Sequence, residues 1–156
     1  MLMTELTITP DFRPLGKSGL SVFPIAYGMW RFAGTSPEVA LAKLNAALDV
    51  GITLFDTADI YGVEGGGSVG GSEKLFGKAM ALDKSMRDRM VIATKGGIVI
   101  GLPYDSTAEH LTKTCETSLQ RMGIDAFILS GYPHKQKCDL FARYVLPKLN
   151  HQPLQF

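Results

Sequence analysis

Short apolar segments alternate with stretches whose apolar residues recur at helical spacing, and that order limits the fold more than any other feature of the chain. The segment "PIAYGMW" reads as a strand stopping near Trp30. A helix follows, because Ser36 suits the N-cap, Pro37 the first helical position and Glu38 the positive end of the helix dipole. Leu41, Leu44 and Leu48 share one face of it, and Gly51 supplies the stop. "ITLFDTA" is the next strand, and the glycine-rich loop "GVEGGGSVGGSE" leads into a helix at about 72–82. "MVIATKGGIVI" is a third strand, ending at Lys95-Gly-Gly. Ser106-Thr-Ala-Glu109 fits a capping box. It opens a helix with Leu111, Cys115, Leu119 and Met122 on one face and Gly123 at its end. Strand and helix alternating in this way imply right-handed crossovers and a parallel sheet. Ahead of these units, residues 6–25 read as a hairpin around the turn Gly16-Lys17-Ser18-Gly19.

Such a sheet is either doubly wound or rolled toward a barrel. A dinucleotide fingerprint of the doubly wound kind belongs directly after the first strand, and "GMWRFAG" does not match G-x-G-x-x-G. The glycines at 65–71 lack a following P-loop lysine, so they read as a covering loop and not a phosphate cradle. In parallel barrels the chemistry sits at the C-terminal ends of the strands. Polar residues stand at those ends here, Asp56 on one strand and Lys95 on another.

With 156 residues, 46% hydrophobic and 20% charged, the chain reads as one soluble domain over residues 1–156. A net charge of +1 without a basic or acidic block leaves no footprint for nucleic acid or an anionic membrane. No apolar run approaches the roughly 20 residues of a membrane-spanning helix, and the start does not resemble a secretory signal. Cys115 and Cys138 lack a metal-like or redox-like spacing, which points to unpaired thiols in a reducing cytoplasm and to no metal site.

Side chains alternate along a strand, so Leu54 and Asp56 share a face, as do Val91, Ala93 and Lys95. Neighbouring strands would then bring a carboxylate and an ammonium together at one rim, with Tyr61 leaning over them from the next loop. A phenol ionises near pH 10, and a nearby ammonium stabilises its anion. A tyrosine tuned in this way can protonate a carbonyl oxygen while hydride reaches the carbon. The competing reading is a buried Lys–Asp pair beside a packed tyrosine. Spacing does not separate the two.

The residues "LFDTADIYG", then "GGSEKLFGKAM" and "VIATKGG", resemble the aldo-keto reductase family. The likeness rests on a strand ending in Asp-Thr-Ala, a tyrosine five residues past the aspartate, Ser-Glu-x-x-x-Gly opening the next helix, and a lysine ending the next strand. "RPLGKSGLSVFPIAYGMW" is similar to the family's opening hairpin and first strand, and the resemblance covers about residues 13–125. It implies an α/β fold, a partial TIM (β/α)8 barrel with roughly three to five βα units, of which 26–125 hold the first three. It further implies NADPH-dependent reduction of an aldehyde or ketone, a small-molecule carbonyl substrate. Tyr61 would be the acid, Lys95 its tuner and Asp56 the lysine's partner. Gly28, Met29 and Asp56 would border the cofactor and Trp30 the substrate pocket.

A full barrel takes about 250 residues, so this chain is expected to hold part of one. Residues 126–156 form a divergent or spliced tail. In one alignment "ILSGY" and "NHQPLQF" match a later block of the family, which would put Ser130 and Gln152 beside the cofactor. The family's catalytic histidine has only His134 near its place, and a surface histidine fits that residue better. The last strand and helix, where the family holds the cofactor's 2′-phosphate, are expected to be missing. Unpaired strand edges would favour self-association. Catalysis by this chain is expected to be impaired; the alternatives are a non-catalytic binding or scaffold half-barrel and a fragment without function.

Overall fold

The computed structural model describes residues 11–64, 67–102, 104–124, 126–129, 134–144 and 147. An N-terminal hairpin pairs β1 (Arg13–Pro14) with β2 (Ser21–Val22) in antiparallel fashion across the expected turn; residues 6–10 of the expected hairpin lie outside the described part. The order then runs β3 (Ala26–Gly28), α1 (Pro37–Asp49), β4 (Leu54–Asp56), α2 (Gly71–Leu82), a 3-10 segment Lys84–Arg89, β5 (Val91–Gly96), α3 (Ala108–Met122), β6 (Ala126–Leu129) and α4 (His134–Tyr144). All four later strands are parallel, in the order β3-β4-β5-β6. The pattern therefore continues through a fourth βα unit, within the expected number. No helix among the described residues is long and apolar enough to cross a membrane.

The start of α1 follows its local chemistry. Ser36 Oγ accepts from the Val39 N–H, and Pro37 occupies the first turn. Helix α3 begins differently from the expected capping box. Its cap is Thr107, whose hydroxyl accepts from the His110 N–H, while the Thr107 N–H donates to Asp105. Asp105 has claimed the turn before the helix, which moves the cap one residue past Ser106. The strands are also shorter than the apolar runs that announced them: β3 and β4 keep three residues each.

One row across the sheet joins Gly28, Asp56, Ala93 and Ala126, and Lys95 lies two residues further along β5, opposite Ile128. The alternation along β4 and β5 sends Phe55 and Ile92 into the layer beneath the helices. There they join Met29, Phe32, Leu44, Phe76 and Met86. Phe55 and Phe76 sit with ring centroids 5.8 Å apart, and Phe32 meets Phe76 edge-on at 6.1 Å. Asp56 and Lys95 occupy the opposite face of the sheet, away from this core.

Helices α2 and α3 approach closely at Gly77, where an added Cβ would run into the carbonyl oxygen of Arg121. Backbone cannot move aside as a side-chain end can. Gly77→Ala is therefore expected to destabilise the chain by about 2 kcal/mol, as overpacking does, despite alanine's better helix propensity. Urea denaturation of the two proteins measures it, and an alanine variant of equal or greater stability would contradict this packing.

Candidate active site

Asp56 is the last residue of β4 and Lys95 the penultimate residue of β5, two positions beyond Asp56's partner Ala93, so the ladder sets them on one face as diagonal neighbours. The Lys95 Nζ donates to Asp56 Oδ2 at 2.8 Å and to the Thr57 carbonyl at 2.8 Å. The same ammonium stands 4.8 Å from the centroid of the Tyr61 ring. A cation over an aromatic face contributes about 0.5–2 kcal/mol, more as water is excluded. Both side chains of the ion pair keep some solvent contact, 21% for Lys95 and 36% for Asp56. The pair is a reachable rim, not a buried strut.

Tyr61 is placed by its backbone. Its N–H donates to the Ala58 carbonyl at 3.1 Å, and its own carbonyl accepts from the Ser72 N–H at 3.1 Å, serving the open N-terminus of α2. Gly62 must follow it: its φ is +140°, and a Cβ there would collide with the Ser68 carbonyl oxygen and the Gly71 nitrogen.

The other expected site residues fall in different places. Gly28 stands in the same row as Asp56, and nothing lies within 4 Å of where its Cβ would be, so the sheet is open above it. Trp30 is half exposed and carries the Arg31 guanidinium 5.2 Å over its ring; it is not a core residue. Met29, expected to border the cofactor, lies in the core. It is 1% exposed, packed beneath the helices; its N–H donates to the Asp56 carbonyl and its carbonyl accepts from Ser72 Oγ. Its backbone and its side chain are both committed. His134 opens α4. Ser130 and Gln152 lie outside the described residues. The Cys115 thiol is free, and burial followed by the charge of Glu116 pushes its pKa up, away from a reactive thiolate. Among the described residues no group of three or more His, Cys, Asp or Glu side chains could hold a metal ion.

Sequence reasoning passed over a carboxylate that, among the described residues, is buried with three hydrogen-bond partners. Glu73, in the first turn of α2, has no exposed surface. Its Oε1 accepts from Thr94 Oγ1 at 2.6 Å and Ser118 Oγ at 2.8 Å, and its Oε2 accepts from Arg121 Nη1 at 2.8 Å. Burying a carboxylate costs several kcal/mol unless partners replace its water, and here three do. The demand for those partners also turns α3: Ser118 is buried, whereas Leu119, expected on the core face, is 53% exposed. The signal was present in "SEKLFG" and "SLQRMG", but no local rule pairs an acid with residues 45 and 48 positions away.

Beside this network a cleft of about 370 Å³ opens between the loop after β4, the segment after β5 and α3. Asp59, Ile98, Ile100, His110 and Arg121 are among the residues that line it. Asp59 Oδ1 and His110 Nε2 are buried without a hydrogen-bond partner.

Comparisons with known proteins identify the family. The aldo/keto reductase family model matches residues 24–129, and the chain belongs to that family. It is 47% identical over 129 residues to a 6-dehydroglucose reductase of Novosphingobium aromaticivorans, covering 81% of this chain and 42% of that protein. It is 34% identical over 131 residues to an L-glyceraldehyde 3-phosphate reductase of Escherichia coli K12, covering 80% of this chain and 36% of that protein. A solved structure described as an aldo-keto reductase from Pseudomonas aeruginosa superposes with a TM-score of 0.64 at 27% identity, over 85% of this chain and 55% of that one. The fold is a partial α/β barrel of this family, and the chain spans less than half the length of these two relatives.

Asp59 yields a pH prediction. Burial, then the negative charge of Glu73, pushes its carboxyl up to about 6, with His110 and Arg121 partly opposing. An unfolded aspartate titrates near 3.9. Between those values the folded chain holds a proton that the unfolded chain releases, so stability falls as pH rises through the window. Above about pH 6 the charged Asp59 is a net cost, on the order of 1–2 kcal/mol after solvent screening of a partly exposed group. Asp59→Asn should stabilise the chain by that amount at pH 7.5 and have little effect at pH 4. Thermal melts at both pH values measure this, and an equal effect at the two would contradict it.

Proposed function

We propose that this chain carries the proton-donating centre of an NADPH-dependent carbonyl reductase. The observation behind the reading is one ammonium held 2.8 Å from Asp56 Oδ2 and 4.8 Å from the centre of the Tyr61 ring, at the C-terminal rim of a parallel sheet. Tyr61 gives its phenolic proton to the carbonyl oxygen. Lys95 stabilises the negative charge that develops on the phenol, and Asp56 with the Thr57 carbonyl holds Lys95 in place. The open surface at Gly28, beside Asp56, suits a flat ring, and the exposed Trp30 near it suits a substrate wall. The cofactor, when bound, supplies hydride. Ser130 and Gln152 remain proposed contacts to it. A cytoplasmic setting accords with the free thiol of Cys115.

The substrate class is a small aldehyde or ketone. Relatives 47% and 39% identical over their matched segments are both called 6-dehydroglucose reductase, so carbohydrate carbonyls are the first candidates. The chain covers 42% and 38% of those proteins. Reduction of such an aldehyde, followed by NADPH oxidation, should be slow but saturable. Tyr61→Phe and Lys95→Met should each lower it at least 100-fold with folding intact, in the range that general acid catalysis contributes. Turnover that survives either change would refute the assigned roles.

A second reading, self-association, is favoured by the sheet edges. β3 and β6 end the described sheet, and Ile128 on β6 is 47% exposed. Such edges recruit further strands. Sedimentation should give a dimer or larger species, and a monomer at all concentrations would exclude a scaffold built on edge pairing.

A further inference from the structure

The first turn of α2 is hydrogen-bonded to the backbone of Tyr61, to Met29 and to Thr94, which lie behind the candidate site. Ser72 donates its N–H to the Tyr61 carbonyl at 3.1 Å. Its hydroxyl donates to the Met29 carbonyl at 3.1 Å, and the Met29 N–H in turn donates to the Asp56 carbonyl at 2.9 Å. The next residue, Glu73, accepts from Thr94 at 2.6 Å, and Thr94 is the strand neighbour of Lys95. Alternation puts Thr94 on the helix side of β5 and Lys95 on the rim side, so tethering one fixes the base from which the other rises.

We propose that Ser72 and Glu73 are positioning residues that set Lys95 against Tyr61. Two consecutive residues of one helical turn hold the backbone of Tyr61 from one side and the strand beneath Lys95 from the other, so the separation of the two functional groups is referred to a single rigid element. The inference deepens the carbonyl-reductase reading and rests on it for its catalytic meaning; its geometry stands apart from any activity. A carboxylate needed merely to staple α2 to α3 has Ser118 and Arg121 for that purpose. The arm to Thr94 is the one that enters the sheet. Misplacement by about 1 Å at a reacting centre costs on the order of 100-fold in rate, which gives the arm a role beyond stability.

The test reads Lys95 directly. Its ε-methylene is bonded to the Nζ that stands 4.8 Å from the Tyr61 ring centroid, so its protons should show an upfield ring-current shift in the folded chain. Tyr61→Leu should abolish that shift and Tyr61→Phe preserve it, which assigns the signal. Thr94→Val keeps the shape of the side chain and removes its hydroxyl, leaving Glu73 paired with Ser118 and Arg121. The Lys95 shift should fall by at least half, and Thr94→Ser should restore it. Ser118→Ala, which cuts the other hydroxyl arm to the same oxygen, should leave the shift in place. If Thr94→Val does not fold, Ser72→Ala, which keeps the N–H bond to Tyr61 and removes the hydroxyl bond to the Met29 carbonyl, reads the same signal from the Asp56 side through Met29 and should also reduce it by about half. A full shift in Thr94→Val, no rescue by Thr94→Ser, or an equal loss in Ser118→Ala would overturn the proposal. A chain that shows these shifts but never reduces a carbonyl would sink the catalytic reading alone. A chain that turns over while Thr94→Val leaves the shift intact would sink the positioning proposal alone.

Discussion

A single buried carboxylate joins the elements of this chain. Glu73 sits where helix α2 begins, accepts hydrogen bonds from β5 and from two positions on α3, and has no contact with water. Such a group is tolerable when every lone pair that water would have served has another donor. Satisfying it constrains the register of α3 on α2, the approach at Gly77 and the outer face of β5 at Thr94. The apolar layer around Phe55, Phe76 and Ile92 supplies most of the burial, but apolar contact is non-directional. The direction comes from Glu73.

The strands turn that constraint into chemistry. A parallel sheet covered by helices on one face leaves its other face for the barrel interior, and the two-residue period separates them. Phe55 and Asp56 are neighbours in sequence and look opposite ways; so do Thr94 and Lys95. The core and the candidate site are therefore built from interleaved residues of the same strands. A change in packing on one face is one residue away from the groups of the candidate site on the other. The ion pair of Lys95 with Asp56 can remain partly wetted because the strands' stability comes from their other face.

Much of this was legible without coordinates. The alternation of strand and helix, the cap at Ser36, the stop at Gly51 and the shared rim of Asp56 and Lys95 follow from rules that act over a few residues. Where those rules missed, a partner distant in sequence had intervened. Asp105 took the turn that would have let Ser106 cap α3. Glu73 drew Ser118 inward and left Leu119 in solvent. Met29 follows an apolar strand and reads as the edge of a site, but the helices above the sheet offer its side chain a dry pocket. Asp59 was given no role of its own by the sequence. Its burial beside Glu73 and the cleft it lines arise from the meeting of three segments.

Local order alone thus established the parallel α/β class and which residues stand at the strand ends, because periodicity and capping are properties of adjacent residues. Tertiary packing decided the rest: that the Lys95 ammonium faces the ring of Tyr61, that Glu73 is buried with three partners, and that Asp59 holds its proton to about pH 6. Those outcomes depend on distances and on exclusion of water between segments up to 48 residues apart, which the linear spacing of side chains does not encode.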